Sequence, residues 1–312
     1  MTMSELMNAW PEGFKAGFAC IVGRPNAGKS TLTNAMVGQK VAITSARPET
    51  TRRVIRAIVN TDAGQIVLVD TPGLHRPRTL LGERLNDMVR ESLADVDIVV
   101  LCLPADEKIG PGDRFLIDLI KQVKTPMIAA VTKADKVGRE QLANHLIEVA
   151  EAADFVEIVP VSAVKGEQVE LLTSLLLAQM PDSPPLYPRD AISDESEETL
   201  ICELIREAAL EELRDELPHS LAVTLEEIIE EPAKKGAKDQ RPLMRIHANL
   251  YVERDSQKGI VIGKRGSRLK QIGSDARKGI AALLNARIYL DLHVKIAKDW
   301  QRDPKQLGRL GF

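Results

Sequence analysis

Eight residues constrain this chain more than any others. Gly23-Arg24-Pro25-Asn26-Ala27-Gly28-Lys29-Ser30 fits the spacing G-x-x-x-x-G-K-[ST] at every fixed position. The apolar run 17–22 precedes it, and the helix-compatible stretch 30–37 follows. A buried strand turning sharply into a helix aims several backbone N–H groups, at the positive end of the helix dipole, at one anion. Glycines let the backbone approach phosphates, Lys29 is placed to reach β and γ oxygens, and the Ser30 hydroxyl to hold Mg²⁺. A plain glycine-rich turn is the alternative, and the strand and helix on either side count against it. The stretch predicts a nucleotide site.

Around it, strands and helices alternate. Gly38 supplies a helix stop. Residues 39–51 are polar and read as a loop, 52–60 and 65–69 as strands joined by the Thr61-Asp62-Ala63-Gly64 turn. A helix with Leu85, Met88, Val89 and Leu93 on one face follows. Short apolar runs at 97–103 and 127–131 suit a sheet buried on both faces. Phe115, Leu116, Leu119, Ile120 and Val123 form a helical stripe between them. A helix over 139–153, a last strand over 156–161 and a closing helix over 169–180 complete the pattern. The prediction is an α/β, doubly wound, mainly parallel sheet with one antiparallel edge.

In such sheets ligands sit outside the carboxyl ends of the strands, and three further stations lie there. Asp70-Thr71-Pro72-Gly73 offers a carboxylate for a Mg²⁺-bound water and a Gly73 N–H to sense a γ-phosphate. Thr132-Lys133-Ala134-Asp135 offers a carboxylate that can accept both N–H groups of guanine, a pair adenine lacks. The Lys133 stem can cover the purine face. Ser162-Ala163 offers backbone N–H for guanine O6.

The four stations, in this order over residues 14–180, resemble the GTPase superfamily. The resemblance implies nucleotide contacts from Gly23 through Thr31, from Asp70 through Leu74, from Thr132 through Asp135, and at Ser162 and Ala163. It implies Thr51 as second Mg²⁺ ligand, closing only with GTP, and Asn26, Lys29, Thr51 and Gly73 as the residues serving hydrolysis. Thr132 departs from the usual Asn, and its shorter side chain is expected to lose the tie to the phosphate loop and weaken GTP affinity. Leu74 stands where Ras-like proteins carry the Gln that orients water. In a subset of bacterial GTPases with that replacement, an Asn at the position of Asn26 goes with K⁺ binding, which implies cation-stimulated hydrolysis here.

Beyond residue 180 the composition changes. Four prolines between 181 and 188 read as a semi-rigid linker over 181–190. An acidic helix over 194–217, with Ser193 as its N-cap, opens a second domain of 191–312, leaving 1–13 as an N-terminal extension. Strands are expected at 220–230, 243–254 and 286–296, and a helix over 267–284. The tail from Ala297 reads as basic and weakly patterned. The net charge of −3 conceals a division: residues 232–312 hold 19 Lys+Arg against 7 Asp+Glu, whereas 1–231 hold 23 against 38. Such asymmetry points the last quarter toward a polyanion.

Gly263-Lys264-Arg265-Gly266 lets the chain press against a nucleic-acid backbone while two cations and the flanking helix termini clamp it. With the apolar Ile260-Val261-Ile262 before it and a helix after it, this stretch resembles a KH domain of type II topology, a smaller α+β domain. The resemblance puts RNA contacts at Lys258, Ile262, Gly263, Lys264, Arg265, Gly266, Arg268 and Lys270. Few aromatics follow residue 231, which argues against an aromatic stacking sheet.

A GTPase domain followed by a KH domain is similar to the bacterial Era family. That resemblance implies GTP as substrate, Mg²⁺ and K⁺ as cofactors, and a monomer that binds small-subunit ribosomal RNA near its 3′ end on a pre-30S particle. It also implies a peripheral fraction at the inner membrane. Three scattered cysteines and the lack of a basic-then-apolar order in residues 1–11 fit a cytoplasmic protein. The alternative is an RNA-binding module whose nucleotide site is structural only. A modifying or helicase-like enzyme would need a metal cluster, nucleophile elbow or helicase motif that the sequence lacks.

Overall fold

Alternation in the first strand, β1 (Lys15–Val22), gives it two buried faces. Ala19 and Ile21 join one apolar cluster, Cys20 and Val22 the other. That is how a strand inside a doubly covered sheet reads. The computed structural model describes residues 11–45, 47, 50–74, 77, 79–213, 220–233 and 239–312. Most of the N-terminal extension, His75, His219, the end of the acidic helix at 214–217 and the loop centre 234–238 lie outside the described residues.

The chain divides into two compact units, the first running to Asp194 and the second formed mainly by Glu195–Phe312. In the first, α1 (Lys29–Val37) follows β1, and the hairpin β2 (Ile55–Asn60) and β3 (Gly64–Asp70) comes next. Then follow α2 (Leu80–Ala94), β4 (Ile98–Pro104), α3 (Pro111–Val123), β5 (Met127–Thr132), α4 (Arg139–Ala152), β6 (Glu157–Pro160) and α5 (Val169–Gln179). The sheet order is β2-β3-β1-β4-β5-β6, and only the β2–β3 pair is antiparallel. Leu32 and Met36 of α1 with Leu172 and Leu176 of α5 cover Ile66, Leu68, Ile98 and Val100 on one face. Val89, Leu93, Leu116, Ile120 and Val149 cover Val69, Val99 and Leu101 on the other. Each such side chain contributes roughly 1.5–3 kcal/mol by leaving water. The turns after β1, β3, β5 and β6 all emerge at one rim.

The proline-rich stretch, expected as a linker, is laid against this first unit. The Ala16 N–H donates to Pro181 O at 3.1 Å, Ser183 N–H to Phe14 O at 3.1 Å, and Ile58 N–H to Ile192 O at 2.9 Å. Gln65, wholly buried, is the clasp. Its Oε1 accepts from the N–H groups of Leu186 and Tyr187 at 2.8 and 2.9 Å, while Nε2 donates to Tyr187 O at 2.9 Å. Prolines bring no N–H of their own, so an amide with both donor and acceptor replaces the missing ladder. An isolated bridge between Ala57 and Ser193 covers the outer edge of β2.

In the second unit the elements are α6 (Glu197–Glu212), β7 (Ala222–Glu231), β8 (Leu243–Val252), α7 (Asp255–Ile262), α8 (Ser267–Leu284), β9 (Arg287–Ile296) and α9 (Pro304–Arg309). Central β8 pairs antiparallel with β7 and parallel with β9. Ile246, Ala248, Leu250 and Val252 pack with Ile201, Ile205 and Ala209 of α6 and with Ile272, Ala276 and Ile280 of α8. The order αββααβ with one parallel pair is the type II KH topology.

Three local expectations are corrected here. Ser196, not Ser193, caps α6, accepting the Thr199 N–H at 3.2 Å. Ser193 instead donates its hydroxyl to Arg56 O at 3.1 Å. The sequence assigns no helix range before Gly263, since Gly259 and three β-branched residues favour other conformations. Tertiary packing overrides that preference: Val261 is fully buried, and Gln257 Oε1 accepts the Glu253 and Arg254 N–H groups at 2.9 and 3.0 Å. The tail is not loose. Trp300 is buried, donates to Ser220 O at 3.0 Å and stacks on Phe312, and Asp303 caps α9.

Candidate nucleotide and nucleic-acid sites

The loop between β1 and α1 turns at Gly28, whose φ of +90° suits a residue without Cβ. The Lys29 ammonium is buried and donates to Gly23 O and Arg24 O at 3.1 and 2.9 Å. Burial lowers its proton affinity, and the nearby Asp70 charge opposes that. Asn26 stands in the left-handed region at φ +63°. Gly73 closes on this loop from the other side. A Cβ there would lie 2.7 Å from Pro25 N, so only glycine allows the approach.

Ser30 Oγ and Thr51 Oγ1 lie 2.9 Å apart, and Thr51 is buried. Asp70 is fully buried, and neither carboxylate oxygen has a hydrogen bond of ordinary geometry. Burial pushes its carboxyl up to about 6, against the Ser30 hydroxyl, the Lys29 charge and the Thr71 N–H, which favour ionisation. A buried carboxylate near two paired hydroxyls fits a divalent cation. With Mg–O bonds of about 2.0–2.1 Å, adjacent octahedral ligands stand about 2.9 Å apart. Thr71 donates to Ile21 O at 2.8 Å, so it braces the strand end. Leu74 is packed in the core beside Val22 and Val69.

The base loop corrects the expectation for Thr132. Its Oγ1 donates to Ala27 O at 2.6 Å, both residues buried, so the shorter side chain keeps the tie between base loop and phosphate loop. Ser162 Oγ donates to Asp135 Oδ1 at 2.7 Å, and this bond holds the Asp135 carboxyl below its usual range. The Ser162 N–H is taken by Glu167 O at 3.1 Å, so it does not serve guanine O6 as expected; Ala163 remains the candidate donor. Ala134 N–H donates to Val161 O, which joins the two base-side turns. Lys133 Nζ stands 3.4 Å from both Asp106 and Glu107, which hold the head while leaving the stem.

Arg24 was expected to face the nucleotide. Its guanidinium is engaged instead by Asp113 and Glu107. Both carboxylates were missed in the sequence. The run Gly110-Pro111-Gly112-Asp113 carries a helix-start signal that marks Asp113 as a cap, but not its partner 89 residues away. Cys20 and Cys102 are buried thiols whose ionisation burial opposes.

The second unit presents Gly263-Lys264-Arg265-Gly266 between α7 and α8. Gly263, Arg265 and Gly266 all have positive φ, at +72°, +53° and +77°. A Cβ on Gly263 would come within 2.8 Å of Arg268 Cβ. Lys264, Arg265 and Lys270 are exposed, and Lys258 and Ile262 are half-buried. Arg268 donates to Ile260 O at 2.7 Å, so its guanidinium closes the end of α7, a role its RNA assignment did not foresee. Of the apolar residues before the loop, Val261 is core and Ile260 is exposed. Among the described residues no His, Cys, Asp and Glu group is built to hold a metal, and no helix is long and apolar enough to cross a membrane.

Residues 18–133 match the family described as 50S ribosome-binding GTPase, and residues 216–301 match the KH domain. Similar over nearly the whole chain is the GTPase Era of Nocardioides sp., 59% identical over 304 residues and covering 96% of both chains. That of Mycobacterium avium is 59% identical over 302 residues, 96% of this chain and 99% of its own. Among solved structures, a variant of Aquifex aeolicus Era bound to GDP·AlF₄⁻ superposes with a TM-score of 0.89 at 35% identity, covering 96% and 99% of the two chains. An Era in complex with MgGDPNP and nucleotides 1506–1542 of 16S ribosomal RNA matches with the same score, identity and coverage.

Proposed function

The chain belongs to the Era family of GTPases, and on that premise we propose a GTP-hydrolysing switch that binds the 3′ end of small-subunit ribosomal RNA and assists small-subunit assembly. The observation that carries the RNA half is the 35% identical relative, spanning both units, bound to nucleotides 1506–1542 of 16S RNA. The description naming the 50S subunit attaches to residues 18–133 alone, so it does not decide which RNA the second unit takes.

Asp135 accepts the two N–H groups of guanine, with the Ser162 hydroxyl fixing its orientation and keeping it ionised. The Lys133 stem covers the purine face, and Ala163 N–H meets O6. Lys29 and the N–H groups from Gly28 to Thr31 hold the phosphates. The Gly73 N–H senses the γ-phosphate, while Leu74 leaves no side-chain amide to orient water. Mg²⁺ would be held by Ser30 and Thr51 and, through water, by Asp70, and K⁺ by Asn26; both would offset phosphate charge, K⁺ in place of an arginine finger. The exposed Lys264 and Arg265 grip the RNA backbone. GTP changes RNA affinity through the loops that carry Thr51 and Gly73, and hydrolysis resets it. The protein acts as a cytoplasmic monomer on a pre-30S particle, with a peripheral inner-membrane fraction drawn by its basic residues.

Crosslinking to cellular RNA with a non-hydrolysable GTP analogue tests this reading. Crosslinks concentrated at the 3′ end of 16S RNA, and changed by GDP, are expected. An even spread over RNA, indifferent to nucleotide, refutes it. Hydrolysis measured in KCl and NaCl at equal ionic strength tests Asn26, and equal rates remove its K⁺ role.

A further inference from the structure

Arg24 ends in a fork between two carboxylates. Its Nε donates to Asp113 Oδ1 at 2.7 Å, and its Nη2 lies 3.1 Å from Glu107 Oε2. The Asp113 side chain is fully buried in the first turn of α3, where Oδ2 accepts the Gly110 N–H at 2.8 Å. Both of its oxygens are therefore engaged, and the carboxylate cannot swing. The Arg24 stem lies across Gly112, where a Cβ would come 2.9 Å from Arg24 Cδ. A guanidinium meets two acceptors in one plane, which an ammonium does not. The slot is built for arginine.

Two chains of contact leave this fork. Along the backbone, the residue after Arg24 is Pro25, against which Gly73 packs, and the next is Asn26 in its left-handed conformation. Through space, Glu107 also reaches Lys133 Nζ at 3.4 Å, the start of the base loop. The segment after β4 thus braces both nucleotide loops. The opposite half of the phosphate loop has other supports: Gly28 and Lys29 open α1, and Ala27 O is tied to Thr132.

We propose that Arg24 is a positioning residue for hydrolysis: clamped by Asp113 and Glu107, it fixes residues 24–26 and the Gly73 contact without touching the nucleotide. This rests on the hydrolysis reading above. Ala27 N–H and Lys29 Nζ do bond to residue 24, but to its backbone carbonyl, which side-chain substitution keeps, and Ala27 O stays tied to Thr132. Loss should therefore fall on turnover rather than on binding.

The test is steady-state GTP hydrolysis by the full chain, with GDP affinity measured by a fluorescent analogue, for Arg24→Gln, Asp113→Asn and the double variant. Asp113→Asn keeps an acceptor for the Gly110 N–H and so keeps the helix cap. Each single variant is expected to lower kcat about tenfold or more while KM and GDP affinity stay within about threefold. The double variant should lose little more than either single, because the pair acts as a unit. Arg24→Lys, reaching one carboxylate and not both, should recover only part. Unchanged kcat, a matching loss of GDP affinity, or additive losses in the double variant overturn the proposal. Wild-type chain without turnover would sink the hydrolysis reading and this proposal with it, whereas normal wild-type turnover with unaffected variants sinks the proposal alone.

Discussion

Replacing Thr132 with valine removes one oxygen and almost no volume, so it isolates the bond between the base loop and the phosphate loop. The hydroxyl lies 2.6 Å from Ala27 O, with Thr132 3% and Ala27 0% exposed. Water does not replace the lost donor there. The cost combines the net value of the bond with the penalty of a stranded buried carbonyl, about 2 kcal/mol together. In a unit of this size that lowers the melting point by about 4–8 °C. Thr132→Asn keeps a donor on a longer side chain and should lose less than half as much. Circular dichroism of the full chain on heating, with and without GDP, reads both variants. A valine variant melting within about 1 °C of wild type would falsify the view that this hydroxyl substitutes for the family's amide.

Asp70→Asn removes a buried charge that burial disfavours. Because the native carboxyl is raised to about 6, wild-type stability falls as pH rises from its unfolded value of 3.8 through 6. The metal-free, nucleotide-free variant should therefore melt higher than wild type at pH 8, with the gain shrinking below pH 5, while GTP turnover is lost; equal melting points at pH 8 refute this. Gln65→Leu deletes the bonds that hold Leu186 and Tyr187, so proteolysis within 181–194 should accelerate several-fold. Unchanged cleavage there would mean that the clasp carries nothing. Lys264→Ala with Arg265→Ala should weaken RNA binding and lower its salt slope by about 2, sparing GTP binding. A slope equal to wild type removes these two residues from the RNA interface.

Periodicity and spacing alone determined the alternating α/β pattern, the rim that carries the four loops, and the basic loop of the second unit with the helix that follows it. Those signals are local: a strand buried on both faces is apolar along its length, and a tight phosphate loop demands glycines at set intervals. Ser30, Lys29 and Asp135 were legible for that reason. Tertiary structure alone decided what long-range partners do. Gln65 reads as an unremarkable strand residue until the proline stretch lies beside it, and Asp113 as an ordinary cap until Arg24 arrives from 89 residues away. Thr132 reads as a defect in its motif until the distance to Ala27 O is known. Helix α7 was hidden for the complementary reason: intrinsic propensity is weak, and burial of Val261 outweighs what Gly259 and its β-branched neighbours prefer. Which residue types can do the chemistry is written in the sequence, and which groups hold them in place depends on contacts that only the folded chain creates.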